Sequence, residues 1–297
     1  MRIGGPSLRS AMLRSVRIDT ERKAAEVERE EYFAANRALW DGWTELHVPS
    51  AFYDVEGLKA GRDPLDRVVS EGVGDVSGQS LLHLQCHFGS DTLGWARRGA
   101  SVVGLDFSER AVAHATALAE ELGLDARFVC ANVYDALEAL EGERYDVVFT
   151  SYGAISWLPD LRRWAEIIAA SLKPGGRFFV ADHHPFLWMF EDTTKERVVR
   201  FYYPYFDREA LRWDEKGSYA VPDAEFEGVS YSWQHTFEEI VNSLAGAGLR
   251  IEALREYPYL AFQWFDFMEQ DDEGFWRMPA DLPQLPLMFS VTATRDR

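Results

Sequence analysis

Short apolar segments alternate with amphipathic segments through the middle of the chain, between residues 80 and 184. The apolar segments have the length of buried strands, whereas the segments between them repeat apolar residues at helical spacing. The clearest helix covers 108–123, because Ser108 can cap its first turn and Gly123 can end it. Strands are predicted at five segments: 80–85, 101–107, 126–133, 145–152 and 177–184.

The order of these elements indicates the fold class. Strands that alternate with helices pair in parallel, and the helices cover both faces of the sheet. A helix at 235–249 and two further strands at 250–258 and 285–296 follow. The sequence therefore predicts an α/β fold with a doubly wound, mostly parallel seven-stranded sheet. Ligands of such sheets bind at the carboxyl ends of the strands.

The charge of the chain disfavours some partners. Its 49 acidic and 31 basic residues give a net charge of −18, which repels phosphate backbones, and no basic stripe is present. We therefore predict no nucleic-acid partner. No apolar run reaches the roughly 18 residues that a membrane span needs, so no membrane partner is predicted. Two cysteines in 297 residues fit a reducing, cytoplasmic location. The oligomeric state stays open.

Five short motifs follow one another in a fixed order: "LLHLQCHFG", "VVGLDFS", "FVCANVYD", "YDVVFTSYG" and "LKPGG". Together they resemble the motifs of class I S-adenosylmethionine-dependent methyltransferases over residues 79–182. The resemblance implies a Rossmann-like methyltransferase fold, S-adenosyl-L-methionine as cofactor, S-adenosyl-L-homocysteine as product and a small-molecule methyl acceptor as partner. It also implies in-line methyl transfer to a nitrogen or oxygen, helped by proximity and by a histidine base.

The resemblance also divides the chain. Residues 1–18 carry four arginines and no acid, and we expect a disordered tail there. Residues 19–78 combine a charged helix with an irregular aromatic stretch and are expected to form a helical lid. Residues 79–297 are expected to form the methyltransferase core. Its inserts near 185–234 and 259–284 are rich in aromatic residues, which is typical of a substrate cap.

A carboxylate ends the second strand. Asp106 lies 17 residues after Gly89, and a carboxylate there can accept both hydrogens of a ribose diol. Phe107 beside it can cover one face of an adenine ring. The alternative for Asp106 is an acid at the start of the next helix, where the helix dipole favours it. We favour the ribose contact because Ser108 already supplies a cap.

Further cofactor contacts are expected after the next two strands. Asn132 can pair with the adenine amino group, at a position where the family usually has an aspartate, or it forms an ordinary turn. Val133 contacts the adenine or belongs to the core. We also predict that Ser151, at the end of the fourth strand, and Tyr53 of the lid contact the cofactor.

The turn after the first strand lacks most of the family's glycines. Where the family commonly reads acid-x-Gly-x-Gly-x-Gly, this chain has His83, Gln85, His87 and Gly89. Gln85 and His87 must take ordinary backbone angles, or the turn is strained. The cofactor has no pyrophosphate to wrap, so this turn is tolerable. Gly89 keeps the closest approach to the cofactor, and Gln85 can bind its methionine amino or carboxylate group. His83, Cys86 and His87 have no second ligand pair at matching spacing, so no metal site is predicted.

Candidates for a general base follow the later strands. The side chains of His183 and His184 alternate, so only one of them faces the site, and we predict His184. His235 opens the next helix, and Tyr152 follows the fourth strand. A histidine with a pKa of about 6.5 suits proton transfer near neutral pH. The alternative for each candidate is a packed side chain without a role in the reaction.

Two other functions stay open as alternatives. A nicotinamide-dependent oxidoreductase has a similar sheet, but it needs G-x-G-x-x-G after the first strand, which "QCHFGS" does not supply. A catalytically degenerate protein that binds the cofactor for regulation would explain the altered turn.

Overall fold

The computed structural model of the protein describes residues 29–191 and 197–297, so the predicted tail at 1–18 lies outside the described residues. The strands are β1 (Ser80–Leu84), β2 (Ser101–Asp106), β3 (Ala126–Cys130), β4 (Tyr145–Ser151), β5 (Leu172–His183), β6 (Leu211–Lys216), β7 (Glu227–Ser232), β8 (Leu249–Tyr257), β9 (Tyr259–Leu260), β10 (Glu269–Gln270), β11 (Trp276–Arg277) and β12 (Met288–Arg295). The helices are α1 (29–47 within the described part), α2 (Val55–Lys59), α3 (Arg67–Val73), α4 (Ser90–Arg97), α5 (Glu109–Leu122), α6 (Ala136–Ala139), α7 (Leu161–Ser171) and α8 (Phe237–Gly246).

The main sheet of the described residues has seven strands in the order β3-β2-β1-β4-β5-β12-β8. The first five of these strands pair in parallel, and β12 runs antiparallel to both β5 and β8. The strand order reverses between β1 and β4, which leaves a crevice at their carboxyl ends. The predicted fold class, a doubly wound and mostly parallel seven-stranded sheet, is confirmed.

Side-chain caps fix where several helices begin. Ser108 accepts a hydrogen bond from the backbone N–H of Ala111 (3.1 Å) at the start of α5. Asp160 accepts one from the backbone N–H of Arg163 (3.0 Å) at the start of α7. Gly123 ends α5 with a φ of 62°, an angle that glycine adopts without strain. The predicted boundaries of the 108–123 helix are therefore confirmed.

Alternate side chains of the strands enter two apolar layers. Leu82 and Phe178 belong to the layer that packs on α7 and α8, whereas Leu81 and Phe179 belong to the layer that packs on α3 and α4. All four are almost fully buried. Because both faces are covered, the sheet is rigid, and it holds the carboxyl ends of its parallel strands along one edge.

The two aromatic inserts contain strands that the sequence pattern does not reveal. β6 and β7 form an antiparallel hairpin, and β9, β10 and β11 form a small antiparallel sheet. The latter strands have two residues each, too few for any periodicity to be seen. In the described ranges, no helix combines the length and the apolarity needed to cross a membrane.

Candidate functional site

A cavity of about 640 Å³ lies at the carboxyl ends of β1, β2, β4 and β5. This is where a doubly wound sheet is expected to bind its ligand. Side chains of α1, of the β6–β7 hairpin and of the loop after β9 complete its walls. The predicted site residues that line it are Tyr53, Gln85, Gly89, Asp106, Phe107, Asn132, Val133, Ser151 and Tyr152. The structure thus brings nine of the eleven predicted residues to one cavity.

The turn between β1 and α4 keeps the backbone shape of a glycine-rich turn although glycines are replaced. The φ angle is 58° at Gln85, 51° at His87 and 80° at Gly89. The sequence left two alternatives for Gln85 and His87, ordinary backbone angles or a strained turn. The first alternative is therefore wrong, and the strained turn is confirmed. A left-handed angle costs an ordinary residue about 1–2 kcal/mol. Gly89 is also required by packing, because a Cβ atom there would lie 2.6 Å from the ring of Phe128.

Asp106 presents its carboxylate to the cavity at the end of β2. Its Oδ2 accepts a hydrogen bond from the backbone N–H of His87 (2.8 Å), and its Oδ1 accepts one from the backbone N–H of Ser108 (2.9 Å). Burial raises the pKa of Asp106 to about 6, although these backbone donors act against the rise. Each carboxylate oxygen can accept a second hydrogen bond, so the group is oriented for a ligand with two hydroxyls.

Phe107, Asn132 and Val133 line the cavity beyond Asp106, after β2 and β3. Oδ1 of Asn132 accepts a hydrogen bond from the backbone N–H of Tyr134 (3.1 Å), which is the turn contact given as its alternative. A carbonyl oxygen can accept a second hydrogen, so an adenine amino group would share this oxygen. Val133 is buried in the core, as one of its two interpretations states, and it also lines the cavity. Its contact with adenine stays a prediction.

Side chains from α1 and the segment after it cover the turn. Nδ1 of His47 lies 2.9 Å from Nε2 of His87, and the ring centroid of Trp40 is 5.1 Å from that of His87. The hydroxyl of Tyr53 is hydrogen-bonded to the hydroxyl of Tyr219. Burial lowers the pKa of His47 to about 4 and also lowers the pKa of His87, so both imidazoles are neutral at pH 7.

Asp91 is a cavity residue that the sequence predictions missed. It lies in the first turn of α4, whose N-cap, Gly89, makes no side-chain capping bond in the described structure. Oδ2 of Asp91 accepts a hydrogen bond from the Ser151 hydroxyl (3.0 Å). Burial raises the pKa of Asp91 to about 7. Because acids are favoured in the first turn of any helix, the sequence carries no signal that this one faces a ligand.

Asp182, near the end of β5, was also missed. Its buried carboxylate accepts hydrogen bonds from the backbone N–H groups of Gly153 (2.6 Å), Ala154 (3.0 Å) and Ile155 (2.9 Å). These contacts fix the loop after β4 against the cavity. The side-chain amide of Gln85 donates to the carbonyl of Ala154 (2.9 Å) in the same loop, so the turn after β1 and the loop after β4 are held together.

His183, and not His184, faces the cavity, so the prediction of His184 is wrong. Nε2 of His184 is bonded to Glu256 (3.0 Å), and its Nδ1 accepts a hydrogen bond from the backbone N–H of Phe186 (3.1 Å). His183 lines the cavity with 8% of its surface exposed. Neither of its ring nitrogens has a hydrogen-bond partner among the described residues, and burial lowers its pKa although Asp182 opposes this.

His235 lies outside the cavity as well, so its prediction as a base at this site is wrong. Its Nε2 donates a hydrogen bond to the carbonyl of Leu158 (2.7 Å), and its Nδ1 lies 3.4 Å from Glu239. It is a packed polar side chain, as its alternative describes. Tyr152 does line the cavity, and its hydroxyl is hydrogen-bonded to Asp66.

The charged side chains along the cavity wall all have the same sign. Within 29–191 and 197–297, no lysine or arginine lines the cavity. Its acidic side chains are Asp66, Asp91, Asp106, Glu215 and Glu273. Aromatic rings form much of the remaining wall, and such a surface favours a neutral or cationic ligand over an anionic one.

Comparison with known proteins agrees with this geometry. Residues 81–176 match a family model described as a methyltransferase domain. The chain is 30% identical over 162 residues to a ubiquinone biosynthesis O-methyltransferase of Cronobacter sakazakii, over 52% of this chain and 65% of that enzyme. The predicted resemblance to class I S-adenosylmethionine-dependent methyltransferases is confirmed. The enzyme of the same name from a Methylobacterium species is 30% identical over 166 residues, or 53% of this chain and 62% of that protein.

Solved structures support the fold of this chain. A methyltransferase structure from Mesorhizobium loti has a TM-score of 0.52 at 19% identity and covers 76% of this chain and 94% of its own. A similar structure from Listeria monocytogenes has a TM-score of 0.51 at 19% identity, over 76% of this chain and 95% of its own. The chain spans 62% to 65% of the length of the curated relatives named above, and the family model ends before the aromatic inserts.

Proposed function

We propose that this chain transfers a methyl group from S-adenosylmethionine to a nitrogen or oxygen atom of a small molecule. The observation that carries the proposal is the buried carboxylate of Asp106, which two backbone N–H groups orient at the cavity end of β2. When bound, the cofactor supplies an activated methyl group on a sulfonium sulfur. The chain's own residues bind it, orient the acceptor, exclude water and take up a proton.

The cofactor's nucleoside fits the end of the cavity near β2 and β3. Asp106 would accept hydrogen bonds from both ribose hydroxyls, since each of its oxygens has a remaining acceptor position. Phe107 and Val133 offer apolar contact to an adenine ring, and Asn132 offers its amide. The strained turn at 85–89 keeps the backbone angles of a glycine-rich turn, which allow the backbone to approach a ligand closely.

The remaining predicted contacts suit the amino-acid part of the cofactor. Gln85 has a buried Oε1 atom without a hydrogen-bond partner in the described structure, and such an orphaned acceptor suits a ligand donor. Ser151 and Gly89 line the same cavity, and Tyr53 contributes to its wall beside the turn, next to His87. We keep all four as proposed cofactor contacts.

His183 is the proposed general base, in place of His184. Its lowered pKa keeps it neutral near pH 7, so the ring nitrogen that carries no proton can take one from a hydroxyl or an amine. Tyr152 faces the same cavity, and Asp66 orients its hydroxyl, so Tyr152 can position the acceptor. Trp188, Phe262 and other aromatic rings around His183 exclude water.

Two observations narrow the acceptor. The matched curated relatives are named as O-methyltransferases, which favours oxygen as the atom that receives the methyl group. The carboxylates of the cavity wall disfavour an anionic acceptor, such as a phosphate ester, because no lysine or arginine among the lining residues that the structure describes would offset its charge. A neutral phenol, alcohol or amine fits better. The predicted cytoplasmic location rests on two cysteines that are free thiols, and it stays a prediction.

Calorimetric titration tests the proposal. We expect S-adenosylmethionine and S-adenosylhomocysteine to bind the purified chain, and the reduced nicotinamide cofactors to show no binding. Transfer of a labelled methyl group to a panel of neutral phenols and amines then tests turnover. Tight binding of a nicotinamide cofactor would favour the oxidoreductase alternative. Binding of S-adenosylhomocysteine without transfer to any acceptor of the panel would favour the regulatory alternative.

A further inference from the structure

The Asp91 carboxylate has no cationic partner in the described structure. Its one hydrogen bond there comes from the Ser151 hydroxyl. Burial raises the pKa of Asp91, and the negative charges of Asp66 and Asp63 raise it further. Arg62 acts on it only weakly. An ionised group in such surroundings is costly unless a cation pairs with it.

Asp91 also makes no capping hydrogen bond in the described structure that would explain why it is half-buried. The N-cap of α4 is Gly89, and the hydrogen bond of Asp91 in the described residues is made with the Ser151 side chain, not with the helix backbone. A first-turn acid can also interact with the helix dipole from an exposed position. Glu109 takes that exposed position in the first turn of α5. The Asp91 side chain instead faces the cavity, where it can meet a ligand.

The strand order places Asp91 on the β4 side of the cavity, away from the side near β3 where we propose that the adenine binds. β1 lies between β2 and β4. A ribose held by Asp106 at the end of β2, with its adenine toward Asn132 after β3, directs the rest of the cofactor across the turn toward β4. Ser151 ends β4, and its hydroxyl joins that strand to Asp91. Gln85 lines the same cavity, and its buried Oε1 atom has no hydrogen-bond partner in the described structure.

The turn lacks the acid that the family's motif places on β1. That position is His83, whose Nδ1 is bonded to the hydroxyl of Thr92 (2.8 Å) inside the core. Burial lowers the pKa of His83 to about 3, so the ring is neutral and cannot replace a carboxylate. A cation bound next to this turn therefore needs its negative partner from another residue.

We propose that Asp91 and Ser151, together with Oε1 of Gln85, bind the α-ammonium group of S-adenosylmethionine, in place of the acid that the family has at the position of His83. An ammonium group has three N–H donors, and these three side chains offer it three acceptor oxygens. This assignment rests on the proposed cofactor, and its test separates the two.

The test compares three neutral-sulfur ligands by calorimetry with the full chain. S-Adenosylhomocysteine carries the ammonium group, its deaminated analogue keeps the carboxylate without it, and 5′-methylthioadenosine lacks the whole amino-acid part. Asp91→Asn should weaken binding of S-adenosylhomocysteine by about 10- to 100-fold, the range for a lost hydrogen bond to a charged group. It should leave the affinities for the other two ligands unchanged or slightly higher.

Two further variants complete the experiment. Glu109→Gln removes an exposed acid from the first turn of α5 and should change none of the three affinities. Ser151→Ala keeps the Asp91 charge but removes its hydroxyl contact, and it should weaken only S-adenosylhomocysteine, by a smaller factor than Asp91→Asn. It therefore serves as the second test if Asp91→Asn does not fold.

The outcomes distinguish this inference from the proposed function. Equal weakening of all three ligands, or no weakening of S-adenosylhomocysteine, would overturn the role of Asp91 while the cofactor stands. Wild-type chain that binds the deaminated analogue as tightly as S-adenosylhomocysteine would overturn the role too, because the ammonium would contribute nothing. Wild-type chain that binds none of the three would overturn the proposed function and this inference together.

Discussion

Replacing Asp91 with asparagine should stabilise the cofactor-free protein. The folded protein raises the pKa of this carboxyl from 3.8 to about 7, which corresponds to about 4 kcal/mol of stability lost when the group ionises. Water that enters the cavity hydrates part of the carboxylate, so we expect a gain of about 1–2 kcal/mol from Asp91→Asn. Asparagine has nearly the same shape and can still accept the hydrogen bond from Ser151.

The pH dependence of this gain identifies its cause. Between pH 4 and pH 7 the folded state binds a proton at Asp91 that the unfolded state has lost, so wild-type stability falls as the pH rises through this window. The gain from Asp91→Asn should therefore grow from near zero at pH 4 and level off above pH 7. Asp66, Asp63 and Arg62, the other charged groups that influence Asp91, are present in both proteins and cancel in the comparison.

Urea unfolding followed by tryptophan fluorescence, at several pH values from 4 to 8, measures the difference. Glu109→Gln is the matched control, and it should change the free energy of unfolding by less than about 0.5 kcal/mol at every pH. A loss of stability in Asp91→Asn at pH 8 would refute the reasoning, because it would mean that the carboxylate is satisfied by the protein itself. A gain of constant size across the pH range would refute it as well.

Three further predictions concern the rest of the site. Asp106→Asn should weaken S-adenosylhomocysteine and 5′-methylthioadenosine alike, by about 10- to 150-fold, because the ribose contact is common to both; calorimetry that shows unchanged affinity contradicts the ribose role. His183→Ala should lower kcat by about 100-fold or more and retain the affinity for S-adenosylhomocysteine. His184→Ala should lower the stability of the fold and leave kcat unchanged. Steady-state kinetics with the reverse pattern would restore His184 as the base. Gly89→Ala should destabilise the fold by about 2–4 kcal/mol, since it combines a positive φ with a clash; Gly246→Ala, where no atom lies within 4 Å of the new Cβ, is its control in thermal unfolding and should not lower Tm.

The fold and the residues proposed to bind the cofactor could be predicted from local sequence patterns. Apolar runs with helical segments between them predict a parallel sheet, and the residues that follow each strand must then meet at one edge. Asp106, Asn132 and Ser151 line one cavity for this reason. The short strands of the inserts could not be predicted, because a strand of two residues shows no hydrophobic periodicity. Such strands are stabilised by pairing with a distant segment and not by the intrinsic preference of their residues.

The histidines show the limit of the same pattern. Alternation states that either His183 or His184 faces the cavity, but the last residues of a strand are where the alternation stops being regular. In the structure His184 donates its backbone N–H to Leu287 and turns its ring toward Glu256, contacts that depend on β8 and β12, far away in the chain.

By itself, the sequence determined the order of the elements, the family and the residues that end each parallel strand, because these follow from local periodicity and from motifs in sequence order. Tertiary structure alone decided the strained backbone at Gln85 and His87, the exposure of His183 to the cavity and the lack of an ion-pair partner for Asp91 among the described residues. Burial, charge pairing and backbone strain depend on which distant segments surround a residue, and a residue's identity does not contain that information.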